Sequence, residues 1–126
     1  MKHLLLTTIA AVGLVGCGNP EADRALLKAA NEGNIEAVKQ HLADGADVHA
    51  KDKHGWTPLH HAAAECEGED VGYKEIAELL IAKGADVNAM DVLAGWTPLD
   101  YADGEIGNIL RKHGGKIGYE LKAAGN

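Results

Sequence analysis

Apolar residues recur at helical spacing in separate stretches of the chain. Ile35, Val38 and Leu42 follow the three- and four-residue spacing of one helix face, and Ile76, Leu79 and Leu80 repeat it further along. This spacing gathers the apolar side chains on one side of a helix, whereas a half-buried strand would alternate at every second residue. The pattern therefore predicts an all-α chain built from short amphipathic helices.

Start and stop signals divide these helices. Thr57 stands before Pro58, so its hydroxyl is placed to cap a helix whose first position needs no N–H donor. Asn19-Pro20 offers the same start to an earlier helix. Gly45 and Gly84 stand where a helix ends in a left-handed residue. The predicted unit is helix, loop, helix, glycine stop and extended turn.

Two motifs recur in register. The sequence Gly-Ala-Asp-Val-His-Ala at 45–50 returns 39 residues later as Gly-Ala-Asp-Val-Asn-Ala at 84–89. The sequence Gly-Trp-Thr-Pro-Leu at 55–59 returns 40 residues later at 95–99. Self-similarity at such a period is the signature of a repeat architecture.

The residues at 57–62, Thr-Pro-Leu-His-His-Ala, match the signature of the ankyrin repeat, whose period is about 33 residues. The stretch 84–89 is similar to the family's turn into its projecting hairpin finger. The resemblance covers Asn19 to about Lys116 and implies a solenoid of about three helix-turn-helix repeats with short hairpin fingers.

The repeats are expected at 20–50, 51–89 and 90–116, followed by a partly ordered tail at 117–126. Ile117, Tyr119 and Leu121 of that tail are candidates to dock on the end of the stack.

Two irregularities interrupt the expected period. An acidic insertion at 66–71 accounts for six extra residues and is expected to join the paired helices of the middle repeat. The third repeat is shortened, and Asp103-Gly104 is predicted to end its first helix early.

Residues 1–16 have the composition of a secretory signal peptide. Lys2 supplies a positive charge, and an apolar run from Leu4 to Val12 follows it. The run is shorter than the roughly 20 apolar residues that a membrane span requires. The alternative interpretation is an ordinary buried helix.

The segment Leu14-Val15-Gly16-Cys17 resembles the lipobox of bacterial lipoproteins. The resemblance implies cleavage before Cys17, lipidation of its thiol and a short tether at 17–19, which would place the protein on the periplasmic side of a bacterial membrane. The alternative is cleavage after Ala11 or Gly16 by the general signal peptidase, which leaves a soluble periplasmic or secreted protein.

Composition narrows the function classes. The formal net charge is -7, and no basic stripe is present, which argues against a nucleic-acid binder because such proteins neutralise phosphates with Lys and Arg. If Cys17 carries lipid, Cys66 has no partner for an internal disulfide. Cys66 is then either a tolerated surface residue or a site that cross-links a dimer, and we expect a monomer.

No catalytic, cofactor or metal site is predicted. No nucleophile lies in a recognisable elbow, and no glycine-rich loop precedes a phosphate-binding helix. His49, His54 and His61 lack a Cys or carboxylate at zinc-ligand spacing, and the acidic insertion lacks a calcium-loop pattern. The family resemblance assigns His60 a structural hydrogen-bonding role.

The remaining candidate chemistry is a protein-binding surface, because stacked repeats present a concave face. The family's variable contact positions correspond here to Lys51, Lys53, His54, Trp56, His61, Glu65, Met90, Val92, Leu93, Trp96 and Tyr101. Trp56 and Trp96 are candidate anchors, and the alternative is that each ring packs over the adjacent turn.

The sequence therefore predicts a non-enzymatic interaction module of the bacterial cell envelope that binds another exported protein. The alternative function is an inhibitor or immunity-type protein that blocks an exported enzyme or toxin.

Overall fold

The computed structural model describes residues 19–65 and 71–125, and all regular secondary structure within these two ranges is helical. The helices are α1 (Pro20–Glu32), α2 (Ile35–Ala43), α3 (Pro58–Ala64), α4 (Val71–Ala82), α5 (Pro98–Tyr101), α6 (Gly104–Lys112) and α7 (Gly118–Gly125). The predicted signal peptide 1–16, the lipidation site Cys17, Cys66 and the rest of the insertion up to residue 70 lie outside the described residues.

Helices α1 to α6 form three consecutive pairs, α1 with α2, α3 with α4 and α5 with α6. The inner helices α1, α3 and α5 form one row, because α3 contacts both α1 and α5. The outer helices α2, α4 and α6 form a second row, in which α4 contacts both neighbours. This order is that of a three-repeat solenoid, and the predicted fold class is confirmed.

One apolar core runs through all three pairs. Leu26, Leu59 and Leu99 occupy corresponding positions on the inner helices and are at most 6% exposed. The outer helices contribute Ile76, Leu80, Ile106 and Leu110 to the same cluster. Burying each such side chain contributes about 1.5–3 kcal/mol, so successive pairs are held together mainly by this layer.

Thr57 and His60 close the N-terminus of α3. The Thr57 backbone N–H donates to His60 Nδ1 at 3.1 Å, and the His60 N–H donates to Thr57 Oγ1 at 3.3 Å. Because Nδ1 is an acceptor, the ring proton is on Nε2, which donates to the Trp96 carbonyl at 3.0 Å. Burial lowers the pKa of His60 despite the opposing effect of that carbonyl. His60 therefore joins two repeats, as predicted.

Gly45 and Gly84 end the outer helices in the left-handed conformation, with φ of 97° and 95°. In each case the next residue donates its N–H back to the last helical turn, Ala46 to His41 and Ala85 to Leu80. Gly114, with φ of 90°, repeats this stop after α6. All three repeats therefore end in the same way.

The first helix of the third repeat is short, as predicted. Helix α5 ends at Tyr101, and Ala102 already has an extended backbone. Asp103 and Gly104 stand at the beginning of α6 rather than at the end of α5. In the middle repeat α3 ends at Ala64 and α4 begins at Val71, so the last residue of the predicted insertion 66–71 belongs to α4.

The C-terminal segment is a helix, so the expectation of a partly ordered tail was wrong. The Gly118 N–H donates to Asp100 Oδ2 at 2.7 Å, and Thr97 Oγ1 donates to the Lys116 carbonyl at 2.6 Å. A Cβ on Gly118 would overlap the Gly95 carbonyl, so glycine permits the close approach. Ile117 packs on the core as predicted, whereas Tyr119 is 78% exposed.

Candidate functional site

The third-repeat finger, residues 90–96, is folded around the carboxylate of Asp91. Oδ1 of Asp91 accepts the backbone N–H groups of Ala94 at 3.0 Å, Gly95 at 3.0 Å and Trp96 at 3.1 Å. The Asp91 N–H donates to the Trp96 carbonyl at 2.9 Å and closes the hairpin. Asp91 is only 4% exposed, so the turn is built on a buried charge whose oxygens are fully used.

The second oxygen of Asp91 connects the finger to its surroundings. Oδ2 accepts the Trp56 Nε1–H at 3.3 Å and the Tyr101 hydroxyl. Burial alone would raise the pKa of Asp91, but the hydrogen bonds from Tyr101 and the backbone outweigh it and lower the pKa to about 2. Burial and the same carboxylate raise the pKa of Tyr101 to about 12. The pair is therefore a carboxylate and a neutral phenol at physiological pH.

Asp52 has the equivalent position in the second-repeat finger, residues 51–56. Its Oδ1 accepts the N–H groups of His54 at 2.8 Å and Trp56 at 3.0 Å. Its Oδ2 lies 3.0 Å from His61 Nε2, while His61 Nδ1 lies 3.4 Å from Asn31 Nδ2. Burial opposes the ionised form, but these hydrogen bonds lower the pKa of Asp52. Each finger is thus fastened by an aspartate to the inner helix behind it.

Aromatic rings fill the space between the two fingers and the inner helices. The Trp56 ring lies 5.0 Å from that of His61 and 4.7 Å from that of Tyr101, measured between centroids. The Trp96 ring lies 5.3 Å from that of Tyr101, again between centroids. Trp56 is therefore a packing residue in this structure, whereas Trp96 is at the margin and remains 46% exposed.

The two fingers are joined directly. The Val92 N–H donates to the His54 carbonyl at 3.0 Å. Gly55 permits this approach, because a Cβ there would lie 2.8 Å from the Val92 nitrogen. We call the surface formed by residues 51–56 and 90–96 the two-finger edge.

The predicted contact residues separate into two groups around this edge. Three of them, Trp56, His61 and Tyr101, are held together in the aromatic and carboxylate network described above. The exposed members are Lys51, Lys53, His54, Glu65, Met90, Val92, Leu93 and Trp96. We call the first group the inner wall and the second group the exposed margin; the bond between the two fingers joins the segments that carry most of these residues.

Sequence reasoning missed Asp52, Asp91 and Asn31 as site residues. A signal for the two aspartates was present, because each precedes a Gly-Trp-Thr-Pro-Leu segment by a few residues. Asn31 gives no such signal, since its contact with His61 joins residues 30 positions apart.

The described residues contain no group of three or more His, Cys, Asp or Glu side chains placed to hold a metal ion. Within residues 19–65 and 71–125, no helix has the length and apolar character needed to cross a membrane.

Comparison with known proteins gives a consistent family match. A family model described as ankyrin repeats matches residues 2–91 and 26–119. Protein phosphatase 1 regulatory subunit 27 of Mus musculus is 38% identical over 92 residues, which cover 73% of this chain and 55% of that protein. The Homo sapiens protein of the same name is 44% identical over 71 residues, which cover 56% of this chain and 42% of that protein.

A plant relative extends the match to another class of protein. Serine/threonine-protein kinase 12 of Arabidopsis thaliana is 33% identical over 97 residues, covering 72% of this chain and 19% of the kinase. The chain spans about half the length of the two regulatory subunits.

Proposed function

This chain belongs to the ankyrin-repeat family, and from that membership we propose that it is a non-enzymatic protein-interaction module. It binds a partner protein through the two-finger edge and the adjoining inner helices. The observation that carries the proposal is the arrangement of the face: a hydrogen-bonded inner wall supports an exposed margin of lysine and large apolar side chains.

The chemistry of the inner wall favours binding over catalysis. His60 uses both ring nitrogens to join repeats, and His61 uses both on Asn31 and Asp52. Asp91 accepts hydrogen bonds on both oxygens. A general acid or base needs an atom available to substrate, whereas these groups are engaged in holding the fingers.

The relatives support the same class of activity. Two of them are named as regulatory subunits of protein phosphatase 1, and a subunit acts in contact with another protein. Repeat scaffolds accept many partners, since specificity lies in their surface side chains. The partner of this chain is therefore to be identified from its own exposed margin.

We further propose that the protein is exported and tethered to a bacterial membrane by lipid on Cys17. The apolar segment and the lipobox-like residues before Cys17 support this location. Helix α1 begins at Pro20, three residues beyond Cys17. That distance corresponds to about 10 Å of extended chain, so a lipid on Cys17 would hold the first repeat close to the bilayer surface.

Affinity capture from a bacterial envelope extract tests the interaction. The face variant replaces Met90 and Trp96 by Ser, and the matched control replaces the exposed Tyr119 by Ser. We expect the wild type and the control to retain one partner and the face variant to lose it by about tenfold in affinity. Equal capture by all three proteins would contradict the proposed face.

The effect of binding on the activity of the captured partner distinguishes an inhibitor from a scaffold. An inhibitor or immunity-type protein would abolish the activity of an enzyme or toxin on binding, whereas a scaffold would leave that activity unchanged.

Membrane fractionation tests the tether. We expect Cys17→Ser to move the protein from the membrane to the soluble fraction, and mass spectrometry of the wild type to show an acylated Cys17. Unchanged membrane association of the variant would contradict the lipid anchor.

A further inference from the structure

The third-repeat finger exposes an unusual amount of apolar surface. The described residues include five large apolar side chains that are exposed, and four of them lie on this finger: Met90 at 43%, Val92 at 72%, Leu93 at 66% and Trp96 at 46%. Scattered single apolar residues are normal on a protein surface, but a group on one short segment marks an interaction site.

This finger is also held rigidly. Asp91 accepts three consecutive backbone N–H groups, and the Val92 N–H is bonded to the His54 carbonyl. From the C-terminal side, Lys122 Nζ donates to the Ala94 carbonyl at 3.3 Å. Val92 and Leu93 are therefore presented on a pre-organised turn, which reduces the conformational entropy lost when a partner binds.

The neighbouring finger, residues 51–56, exposes lysine side chains instead of apolar ones. Lys51 and Lys53 are exposed and take part in none of the ion pairs found among the described residues. Asp52 on the same finger is only partly exposed, and its carboxylate is bonded to backbone N–H groups and His61, so the two lysines are the exposed charges of this finger. The bond between His54 and Val92 places the lysine-bearing finger directly beside the apolar one.

We propose that the two-finger edge binds a partner segment in which carboxylate side chains stand next to large apolar ones. The apolar side chains pack on Val92 and Leu93, and the carboxylates pair with Lys51 and Lys53. This inference rests on the proposed interaction function and specifies the chemistry of the partner. The proposed site prefers an acidic partner segment, whereas the negative net charge of the whole chain, taken alone, would favour a basic partner.

Selection from a phage-displayed library of random linear peptides, with the immobilised full-length protein in detergent as target, tests the proposal. We expect the enriched peptides to combine Asp or Glu with Leu, Ile, Phe or Trp. Their affinity, measured by fluorescence anisotropy of labelled peptides, should fall as salt concentration rises, because exposed charge pairs are screened.

Two double variants test the charged contacts and the apolar contacts separately. Lys51→Glu combined with Lys53→Glu should weaken binding by about tenfold and reverse its salt dependence, because the peptide carboxylates then face like charges. Val92→Asp combined with Leu93→Asp should weaken it by about tenfold or more. The matched controls, Lys112→Glu on α6 and Tyr119→Asp on α7, should change affinity by less than about twofold. Circular dichroism checks that all four proteins remain folded.

Enrichment of basic or purely apolar peptides would overturn this inference, as would acidic peptides whose affinity survives the lysine reversal. If such peptides nevertheless lose affinity in the Met90 and Trp96 face variant, the interaction function stands and only the partner chemistry is wrong. If no face variant affects any enriched peptide, both proposals fail.

Discussion

His60 and Asp100 occupy the same position in successive repeats, and each forms a hydrogen bond to the following segment of the chain, but in opposite directions. The His60 Nε2–H donates to the Trp96 carbonyl at 3.0 Å. Asp100 Oδ2 instead accepts the Gly118 N–H at 2.7 Å. Both side chains also accept the N–H of the threonine that begins their helix. His60 meets a carbonyl acceptor in the next finger, whereas Asp100 meets an N–H donor at the beginning of α7. The side chain at this position therefore matches the group that it meets.

The contact between Asp100 and Gly118 should control the docking of α7. We expect Asp100→Ala to lower the free energy of unfolding by about 1–3 kcal/mol, because the Thr97 and Gly118 N–H groups lose their acceptor. Hydrogen exchange in residues 117–125 should accelerate before exchange in α3 or α4 does. Tyr119→Ala, which changes a side chain of α7 that is 78% exposed, is the control. Exchange that increases equally throughout would show that Asp100 has no specific role in docking.

His60 should make stability depend on pH. Its folded-state pKa lies below the ordinary value of about 6.5, so the folded protein binds fewer protons than the unfolded chain. The contribution of His60 is therefore complete above pH about 6.5 and declines as the pH falls further.

His60→Gln provides the measurement, because Gln also serves in a capping box. Urea unfolding followed between pH about 7.5 and 5 should show a smaller loss of stability in this variant than in wild type. His54→Gln, at an exposed position, should behave as wild type. Identical pH dependence in all three proteins would exclude His60 as the source.

Asp91 should make stability depend on pH over a lower pH range than His60 does. Its contribution is present above the unfolded-state pKa of about 3.9 and is lost as the pH falls through the folded-state value of about 2. Asp91→Asn places an amide N–H₂ against the Trp56 and Tyr101 donors, so we expect a loss of about 1–3 kcal/mol at neutral pH.

The acid-induced decline between pH about 4 and 2 should be weaker in this variant, as measured by urea unfolding at each pH. Asp103→Asn is the matched control, because Asp and Asn are similarly favourable before a helix. A variant as stable as wild type would contradict the role assigned to Asp91.

Trp56 and Trp96 should respond differently to truncation. Trp56→Ala removes a ring packed on His61 and Tyr101, so it should lower the free energy of unfolding by about 2–3 kcal/mol. Trp96→Ala should cost only about 0.5–1 kcal/mol in folding while it weakens partner binding. Urea unfolding and binding of the captured partner measure the two effects. The opposite order of stability losses would reverse these roles.

Local signals were sufficient to predict the repeat architecture. The capping residues, the glycine stops and the paired Gly-Trp-Thr-Pro-Leu segments are short-range features, and each directs a helix to begin or end. The first inner helix lacks the Thr-Pro-Leu-His motif. Its buried Leu26 nevertheless lies 33 positions before Leu59, at the spacing that the ankyrin period requires.

Two features that depend on contacts between distant segments, the helical order of the C-terminal segment and the environment of Trp56, were not settled by the sequence. The ordering of α7 depends on Asp100 and Thr97 meeting residues 18 and 19 positions later. The packing of Trp56 depends on Asp91, which is 35 positions away. No periodicity in either local sequence reports such pairings, so the order of the tail and the difference in exposure between the two tryptophans required the three-dimensional structure.

The placement of Trp56 and Trp96 has a practical consequence. They are the only two tryptophans in the chain, and both rings lie against Tyr101 at the proposed binding face. Intrinsic emission excited in the red edge of the absorption band therefore originates from this face alone. A change in this fluorescence on adding a partner would therefore report binding at the proposed face without any label. Replacing Trp56 or Trp96 alone would show whether the change arises at the inner wall or at the exposed margin.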